Sequence, residues 1–463
     1  MQAPLPHLLW ISALLISCGG PGEEGPSRAD AGPAPLDAAA LPPCELGVSI
    51  AGTPTSTLAF FPGQRRRLEV AGSGWASLEI REVPSFVHAE IDGTALDLVA
   101  DYRGEGAGPL VLVGHCPDRT TEVSIALTER PLPFQPLIPW SPGVSGPPAR
   151  EYFAMWIDPT TADRLWVVAG FQYVPAQFTP ARDVWSLDLT TEQWTAHGEV
   201  APWRAGATVA VHPEGYAVMY GGFDTEASAP RDTPFSLFRI DTVGGGLAFT
   251  PLAPAGAPDH GDYQPSFFYH PPSRRFIAAC GMNDVEGGHC RVSALDLAGD
   301  RWSELRAEGP APAGRNGHFW AYDAESDRLL IFSGEGSPPS AGCTNCLHDT
   351  WALRVDGDVA RWSQLDAGAD RLGRRNGAFV WDPAQRRLLV WGGTSNGRTT
   401  RPGLWAFEPR DDGGRWTAVP TDERAPGRTS GAAVFDGGRG RALLGFGNGA
   451  ALYSDLWSLP LAD

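Results

Sequence analysis

The chain has 463 residues, of which 42% are hydrophobic and 10% aromatic, so it can bury a large core and is not a disordered chain. Its formal net charge of -18 is distributed along the sequence rather than gathered in a tail, which argues against nucleic acid as a partner. The 56 Gly and 43 Pro residues, without a long amphipathic run of helical period, predict many short strands joined by turns.

The first residues have the pattern of an export signal. The apolar run HLLWISALLISCGG, which begins at His7, has signal-peptide length and is too short to span a bilayer as a helix. It contains Leu15-Ile16-Ser17-Cys18, which resembles the bacterial lipobox, whose cysteine becomes the lipidated N-terminus. An unlipidated secretory signal is the alternative. We therefore predict a signal peptide over residues 1–17, a membrane attachment through the lipid anchor at Cys18 only, and a cell-envelope location, on the periplasmic face or the outer surface of the outer membrane.

Two segments precede the repeats described below. Residues 18–43 are rich in Gly, Pro and Ala, cannot bury a core and are predicted to be a flexible tether. Residues 44–130 contain alternating runs such as RRLEVAG and PLVLVGH, with turn residues about every ten positions. This pattern predicts a small antiparallel β-sandwich of immunoglobulin-like topology, which we expect to act as a spacer or docking module.

The cysteine content agrees with export. Without Cys18, six cysteines remain, and an even number in an exported chain suggests three disulfides. The simplest arrangement pairs them by segment, although sequence leaves other connectivities open: Cys44 with Cys116, Cys280 with Cys290, and Cys343 with Cys346. The segment CTNCLH could instead hold zinc together with Cys290 or His289. We predict the disulfides and no metal.

A Trp-containing phrase recurs along the rest of the chain. It reads RDVWSLDLTTEQW at 182–194, HDTWALRVDGDVARW at 348–362 and GLWAFEPRDDGGRW at 403–416. The position of the last Trp in each unit repeats at intervals of 55, 53, 60 and 54 residues: Trp194, Phe249 in place of Trp, Trp302, Trp362 and Trp416. A period of this length with four short strands indicates the blades of a β-propeller. The repeated Trp and Leu side chains are predicted to pack between blades, since one blade cannot bury both faces alone.

The repeats resemble the kelch family. One strand of a unit ends in paired glycines, as at Gly221-Gly222 and Gly392-Gly393, and a further strand follows it. A residue of that further strand lies seven positions before the Trp, as Leu187 does before Trp194. The resemblance implies an all-β fold, with a six-bladed kelch-type β-propeller over residues 131–463 after the small β-sandwich domain. The last unit stops after its third strand, so we expect a strand within 131–143 to complete blade six, with Trp140 as its Trp.

An arginine recurs eight residues before the Asp or His that ends the first strand of a blade. It occurs in five of the six blades, at Arg150, Arg204, Arg315, Arg374 and Arg428. In the fifth blade Arg375 could take its place, and the third blade has Asp262 there. In kelch adaptor proteins an Arg at the matching place lines the mouth of the central pocket, so the resemblance implies a ring of guanidinium groups in this chain.

We predict that these arginines bind an anionic ligand, with Asn316, His318 and Asn376 adding polar contacts. Guanidinium groups suit carboxylates, so the ligand would be an acidic sugar, a carboxylate-bearing peptide or an acidic loop of a partner protein. The alternative is a repeated structural device, in which each Arg pairs with carbonyl or carboxylate groups of the blades themselves.

No catalytic motif is recognisable, and no cofactor is predicted. The cluster of His260, Asp262 and Tyr263 is the one near the predicted mouth that could do acid–base work. The copper-radical galactose oxidases share the fold, but their copper ligands have no recognisable counterpart here. The sequence therefore favours a monomeric, non-enzymatic, lipid-anchored binding protein that recognises a protein or a glycan through propeller loops and channel mouth. The alternative is an acidic-sugar mutarotase, since the periplasmic sialic-acid mutarotases are six-bladed kelch proteins.

Overall fold

The structure is a computed structural model, and the residues that it describes are 43–102, 104–139, 146–174, 177–202, 204–223, 236–258, 261–283, 287–336, 346–366, 372–395, 400–410, 413–422 and 425–461. The predicted signal peptide, the lipid anchor at Cys18 and the tether up to residue 42 lie outside these ranges, as do Trp140, His260 and Cys343. Within the described ranges, no helix has the length and apolar character needed to cross a membrane.

Residues 44–130 form two sheets that enclose one core. The first sheet has five strands, in the order Thr53–Pro54, Glu45–Ile50, Arg65–Ser73, Ala95–Ala100 and Val87–Asp92. The second has four, in the order Thr57–Phe60, Thr120–Glu129, Gly106–His115 and Ser77–Glu82. Alternate side chains of each strand point inward, and Leu68, Leu98 and Leu112 are fully buried between the layers. The Cys44–Cys116 disulfide joins the start of the first sheet to the end of a strand in the second.

Six four-stranded antiparallel sheets follow, and we call them blades 1 to 6, with strands a to d from the centre outward. Blade 1 comprises Ala154–Ile157, Arg164–Val168, Asp183–Asp188 and Gln193–Glu199. Blade 2 comprises Ala205–Val211, Ala217–Phe223, Leu237–Val243 and Gly246–Pro251. Blade 3 comprises Ser266–His270, Arg275–Asn283, Gly287–Asp296 and Arg301–Glu304. Blades 4 and 5 comprise Phe319–Asp323, Arg328–Phe332, Thr350–Asp356 and Val359–Asp366; and Ala378–Asp382, Arg387–Trp391, Leu404–Arg410 and Gly413–Val419. Shorter elements connect them: Pro271–Ser273 is a 3-10 turn, Arg306–Glu308 adds to blade 4, and small ladders are formed by Arg150–Glu151, Phe171–Val174 and Gln177–Pro180, and by Arg315–Asn316 and Glu335–Gly336.

Blade 6 is built from both ends of the repeat region. Its strands a to c are Ala432–Asp436, Arg441–Gly445 and Leu456–Pro460, and its outer strand is Gln135–Ile138. The outer strand runs antiparallel to strand c, with Gln135 opposite Ser458 and Ile138 opposite Leu456. Strand a of blade 6 contacts strand a of blade 1, which closes the ring of inner strands. The prediction of an all-β fold with a six-bladed propeller after a β-sandwich is confirmed.

The repeated aromatic residues of the outer strands pack against the preceding blade. The ring centroid of Trp302 in blade 3 lies 5.0 Å from that of Tyr220 in blade 2, and Trp416 in blade 5 lies 4.1 Å from Phe332 in blade 4. Trp194 of blade 1 lies 6.3 Å from Phe446, which follows strand b of blade 6. Each blade thus covers an apolar face that its neighbour cannot bury alone, as the repeat pattern predicts.

A buried arginine lies at the contact between the sandwich and blade 5. The Arg387 side chain is 1% exposed, and its Nη1 donates to the Pro62 carbonyl at 2.8 Å and to Tyr102 Oη at 3.3 Å. Tyr102 Oη in turn donates to Glu408 Oε1 at 2.5 Å. The contact thus combines an ion pair of Arg387 with Asp382 inside the blade and hydrogen bonds to the sandwich.

Candidate functional site

A ring of left-handed residues stands where the inner strands approach one another. Two residues after each recurrent Arg, or after Asp262 in blade 3, φ lies between 51 and 71°, at Tyr152, Gly206, Gln264, Gly317, Asn376 and Ser430. Glycine adopts this conformation at little cost, whereas the four other residue types adopt it rarely. Such strain persists only where the surroundings over-determine it, and it clusters at functional sites.

Backbone hydrogen bonds link these residues from blade to blade. The N–H of one ring member donates to the carbonyl of the preceding blade's member at five of the six junctions, from Gly206 to Tyr152 (2.8 Å), Gln264 to Gly206 (2.9 Å), Asn376 to Gly317 (2.9 Å), Ser430 to Asn376 (2.6 Å) and Tyr152 to Ser430 (3.4 Å). The positive φ aims each N–H along the ring. These hydrogen bonds therefore tie neighbouring blades together around the central channel.

Side chains of the odd-numbered blades meet across the channel at this ring. Gln264 Nε2 donates to Asn376 Oδ1 at 3.0 Å, and Asn376 Nδ2 donates to Tyr152 Oη at 3.1 Å. Blades 1, 3 and 5 are not neighbours, so these three side chains must converge near the axis. We call Tyr152, Gln264 and Asn376 the polar plug. The even-numbered blades have Gly, Gly and Ser at the ring and leave room for it.

A cavity of about 440 Å³ adjoins the plug and is lined by the inner strands. Tyr152 and Phe153 line it beside blade 1, and five further aromatic residues come from blades 4 to 6: Trp320, Tyr322, Phe379, Trp381 and Phe435. All five are half-buried, because alternate residues of a strand point to the channel while those between them pack inside the blade. No Arg, Asp or Glu occurs among the described residues that line this cavity. The site thus offers apolar ring faces and a few uncharged polar groups, which is typical of pockets for small molecules.

His318 lines the same cavity in a neutral form. Its side chain is buried, its Nε2 lies 2.7 Å from Ser266 Oγ, and its Nδ1 has no hydrogen-bond partner among the described residues. Burial foremost, and then the charge of Arg315, lowers the pKa of His318 to about 3. The imidazole can therefore orient a polar group of a ligand but carries no charge at neutral pH.

Three of the recurrent arginines are held inside their own blades. In blades 1, 4 and 6 an aspartate two residues before a strand-c Trp accepts from both terminal nitrogens of the Arg and from the indole N–H, as in Arg150–Asp183–Trp185, Arg315–Asp349–Trp351 and Arg428–Asp455–Trp457. The Arg–Asp distances are 2.5–3.1 Å and the Trp–Asp distances 2.6–2.7 Å. We call this group the carboxylate clamp. All three Arg side chains are fully buried. Their contacts favour the structural interpretation, and a role of these arginines in ligand binding stays a prediction.

The other three blades depart from the clamp. Arg204 of blade 2 is buried, and Ser236 occupies the aspartate position. In blade 3 the order of charges is reversed, since Asp262 takes the place of the Arg and Arg291 that of the Asp. Asp262 accepts from Tyr220 Oη at 2.8 Å and lies 2.7 Å from His289 Nε2. In blade 5, Arg374 is buried and Gly403 occupies the aspartate position.

The remaining predicted polar residues are divided between the plug and its surroundings. Asn376 belongs to the plug, whereas Asn316 is buried and its Nδ2 lies 3.6 Å from Met282 Sδ. Arg375 forms an ion pair with the buried Glu335. The Glu151 carboxyl, next to Tyr152, has a raised pKa, because burial outweighs its hydrogen bond with Asn448.

Two of the three predicted disulfides, Cys44–Cys116 and Cys280–Cys290, are present among the described residues. The Cys280–Cys290 disulfide joins strands b and c of blade 3, and the predicted Cys343–Cys346 pair involves Cys343, outside the described residues. In the described part of the chain, no three His, Cys, Asp or Glu side chains are gathered closely enough to hold a metal ion.

Sequence reasoning missed the channel aromatics. The inner strands FWAYD and AFVWD contain the signal, since Trp320 and Tyr322, like Phe379 and Trp381, are two residues apart and share one face of a strand. The sequence does not state which face looks into the channel.

Comparisons with known proteins agree on the fold. A family model described as the KLHDC2/KLHL20/DRC7 Kelch-repeats domain matches residues 273–463. The solved structure of YjhT aligns with a TM-score of 0.51 at 14% identity, over 69% of this chain and 97% of that chain. No curated protein matches the chain. Together with the six four-stranded sheets, these findings define a kelch-type β-propeller.

Proposed function

We propose that this chain is a non-enzymatic binding protein of the cell envelope whose central channel takes an uncharged glycan. The observation that carries the proposal is the channel lining, in which five half-buried aromatic rings face a 440 Å³ cavity beside the polar plug. Aromatic faces stack on the apolar C–H faces of sugar rings, and amide or hydroxyl groups orient the sugar hydroxyls.

The charge of the lining decides between glycan classes. The carboxylate of an acidic sugar needs a guanidinium that faces it. The fully buried arginines of blades 1, 4 and 6 already form ion pairs with aspartates of their own blades. The described channel lining contains no cationic side chain at neutral pH, because His318 is neutral. A neutral sugar therefore suits the channel better than the acidic sugar that the arginine pattern suggested.

The acidic-sugar mutarotase remains the alternative function. Anomer exchange needs an acid and a base that reach the ring oxygen and the anomeric hydroxyl. Among the described lining residues, the groups that can exchange protons are His318 and the tyrosines, and burial raises the pKa of both Tyr152 and Tyr322. These groups suit binding more than proton transfer at neutral pH.

A thermal-shift screen of the full chain tests the proposal. The panel contains neutral oligosaccharides, acidic sugars and cell-wall fragments. A ligand present at 100 times its dissociation constant adds about 2.7 kcal/mol to the free energy of unfolding. We expect neutral oligosaccharides to stabilise the parent, and we expect the Trp381→Ala variant to lose this response.

The matched control is Phe249→Ala, which removes a half-buried aromatic side chain from the outer strand of blade 2. It should melt at a lower temperature and keep the full response to the glycan. A response to acidic sugars alone, retained by Trp381→Ala, would overturn the channel site. Exchange of anomers of the bound sugar, followed by NMR, would instead establish the mutarotase.

The envelope location is part of the same proposal and has its own test. Metabolic labelling with a palmitate analogue should label the parent and not a Cys18→Ser variant, since the lipid is attached through the cysteine thiol. Two or more acyl chains hold a protein firmly on a membrane. Release of the unlabelled variant from the membrane fraction is the expected result, and labelling of Cys18→Ser would exclude the anchor.

A further inference from the structure

The carboxylate clamp has the same parts in three blades. The carboxylate of Asp183, Asp349 or Asp455 accepts hydrogen bonds from an arginine and from the indole of a tryptophan in its own blade. The arginine also donates to two backbone carbonyls, one two residues before it and one at the end of strand b, as Arg315 does to Ala313 and Ser333 at 3.0 Å each. The clamp is thus a carboxylate-binding site that the blade fills with its own side chain.

Blade 5 keeps every part of the clamp except the carboxylate. Arg374 Nε donates to the Leu372 carbonyl at 3.0 Å and Nη1 to the Gly392 carbonyl at 3.3 Å, as in the other blades. The Arg374 guanidinium carbon lies 6.0 Å from the centre of the Trp405 ring. Gly403 stands where blades 1, 4 and 6 have Asp, and no described carboxylate forms an ion pair with Arg374.

The space of the missing side chain is open. A Cβ atom placed on Gly403 would meet no described atom within 4 Å except Trp405 Nε1, at 3.9 Å. Gly403 is exposed, whereas the Arg374 side chain is 2% exposed, so solvent reaches the position of the carboxylate but hardly the guanidinium. Burial foremost, and then the nearby positive charge of Arg401, lowers the pKa of Arg374 to about 10. Among the described residues Arg374 has no carboxylate counter-ion, and because a buried charge without one is unfavourable, an anion would relieve it.

We propose that blade 5 binds a carboxylate group from another molecule, held by the terminal nitrogens of Arg374 and the indole N–H of Trp405, where blades 1, 4 and 6 hold their own aspartate. This site is separate from the aromatic channel and goes beyond the glycan-binding function. A guanidinium binds both carboxylate oxygens in parallel, and the clamp in the other blades shows that the indole adds a third hydrogen bond. A carboxylate offers one oxygen to each of the two parallel guanidinium N–H groups, whereas a spherical anion such as chloride offers all donors a single centre and fits them less well.

Indole N–H resonances of the full chain provide the test, with formate as the probe. The signal that disappears in Trp405→Phe is assigned to Trp405. We expect this signal to shift and saturate as formate is added, and chloride at equal ionic strength to leave it in place. In Arg374→Gln the apparent dissociation constant for formate should rise about tenfold or more, because a hydrogen bond to a charged group is worth that factor.

The matched control removes the aspartate from a complete clamp. Asp349→Gly gives blade 4 the composition of blade 5, so formate should then shift the Trp351 indole, which we expect to show no response in the parent. If the Trp405 signal of the folded parent fails to saturate with formate, the proposal is wrong, whatever the variants do. The same holds if its shift is unchanged in a folded Arg374→Gln variant.

The source of the carboxylate is a separate comparison. A peptide that presents an Asp side chain, with capped termini, is titrated beside its Asn counterpart and beside formate. Saturation by the Asp peptide at lower concentration than by formate assigns the site to an acidic segment of a protein. Saturation by formate alone assigns it to a small carboxylate, and saturation by the Asn peptide would contradict a carboxylate site.

Discussion

Gln264 Nε2 donates to Asn376 Oδ1 at 3.0 Å, although the two residues belong to blades that are not neighbours and are 112 residues apart in sequence. The bond runs across the channel, where Asn376 also donates to Tyr152. Both Gln264 and Asn376 have positive φ, of 51 and 56°. Three polar side chains are therefore held at the axis by residues with a strained backbone, which supports the proposed role of the channel.

The plug leads to a prediction about Asn376. Asn376→Gly removes both plug bonds but keeps a residue that tolerates φ of 56°, so the channel should open with little loss of stability. Asn376→Val removes the same bonds and puts a β-branched residue in this conformation, which costs about 1–3 kcal/mol. Urea denaturation measures the difference between the two variants. Equal stabilities would show that the ring imposes no strain at residue 376.

The carboxylate clamp predicts a large effect of Asp349. Removing one partner of a buried ion pair leaves the other charge uncompensated, so Asp349→Ala should lower the free energy of unfolding by about 3–5 kcal/mol. Arg67→Ala breaks ion pairs with Asp92 and Asp97 in which all three side chains are largely exposed to solvent, so it should have little effect on the free energy of unfolding. Chemical denaturation of both variants tests the contrast. Similar losses would mean that the clamp is not a main source of blade stability.

His318 predicts a pH dependence of stability. Its folded-state pKa, about 3, lies below the ordinary value of 6.5, so the unfolded chain takes up a proton first as the pH falls. The contribution of the neutral imidazole to stability is complete above 6.5 and is lost progressively as the pH falls towards 3. A His318→Asn variant should therefore show a flatter fall of the denaturation midpoint on acidification than the parent. His88→Asn, at an exposed position, is the control and should leave the slope of the parent unchanged.

The buried Arg387 predicts coupled unfolding of sandwich and propeller. Arg387→Met removes the hydrogen bonds to Pro62 and Tyr102 and leaves the Asp382 carboxyl without its partner. Calorimetry should show one unfolding transition in the parent and two in the variant. The transition at lower temperature would come from whichever of the two, sandwich or propeller, is less stable without the contact. A single transition in both proteins would mean that the apolar contacts of Phe61 and Tyr102 with blades 5 and 6 suffice for coupling.

The fold was predictable because the features that indicate it can be found along the sequence alone. The period of the Trp phrase and the glycine-ended strands state the blade number without any knowledge of contacts. The direction of a side chain is not such a signal, since the spacing from Arg315 to Asp323 is the same whether the guanidinium faces the channel or its own blade. The deciding residue was present in the repeated phrase, in Asp183-Val184-Trp185 and its counterparts, because an aspartate two residues before the Trp shares its face of the strand.

The channel site was harder to predict from the sequence than the fold. Four of the six ring positions are not glycine, so no residue pattern marks the left-handed turn at Tyr152 or Asn376. These conformations are held by backbone hydrogen bonds between neighbouring blades, whose bonded residues are far apart in sequence. The same is true of the plug, whose members come together only when the ring is closed.

The pairing of Gln135–Ile138 with Leu456–Pro460 sets an order on folding. A nascent chain cannot seal its ring before residue 460 is available, however early the first five blades form. Until then, the apolar faces of blades 1 and 6 that meet around Leu165 and Leu443 are uncovered. A chain that lacks Leu456–Pro460 would keep an open seam in blade 6 and would leave the edges of Gln135–Ile138 and Arg441–Gly445 unpaired and able to pair with other molecules.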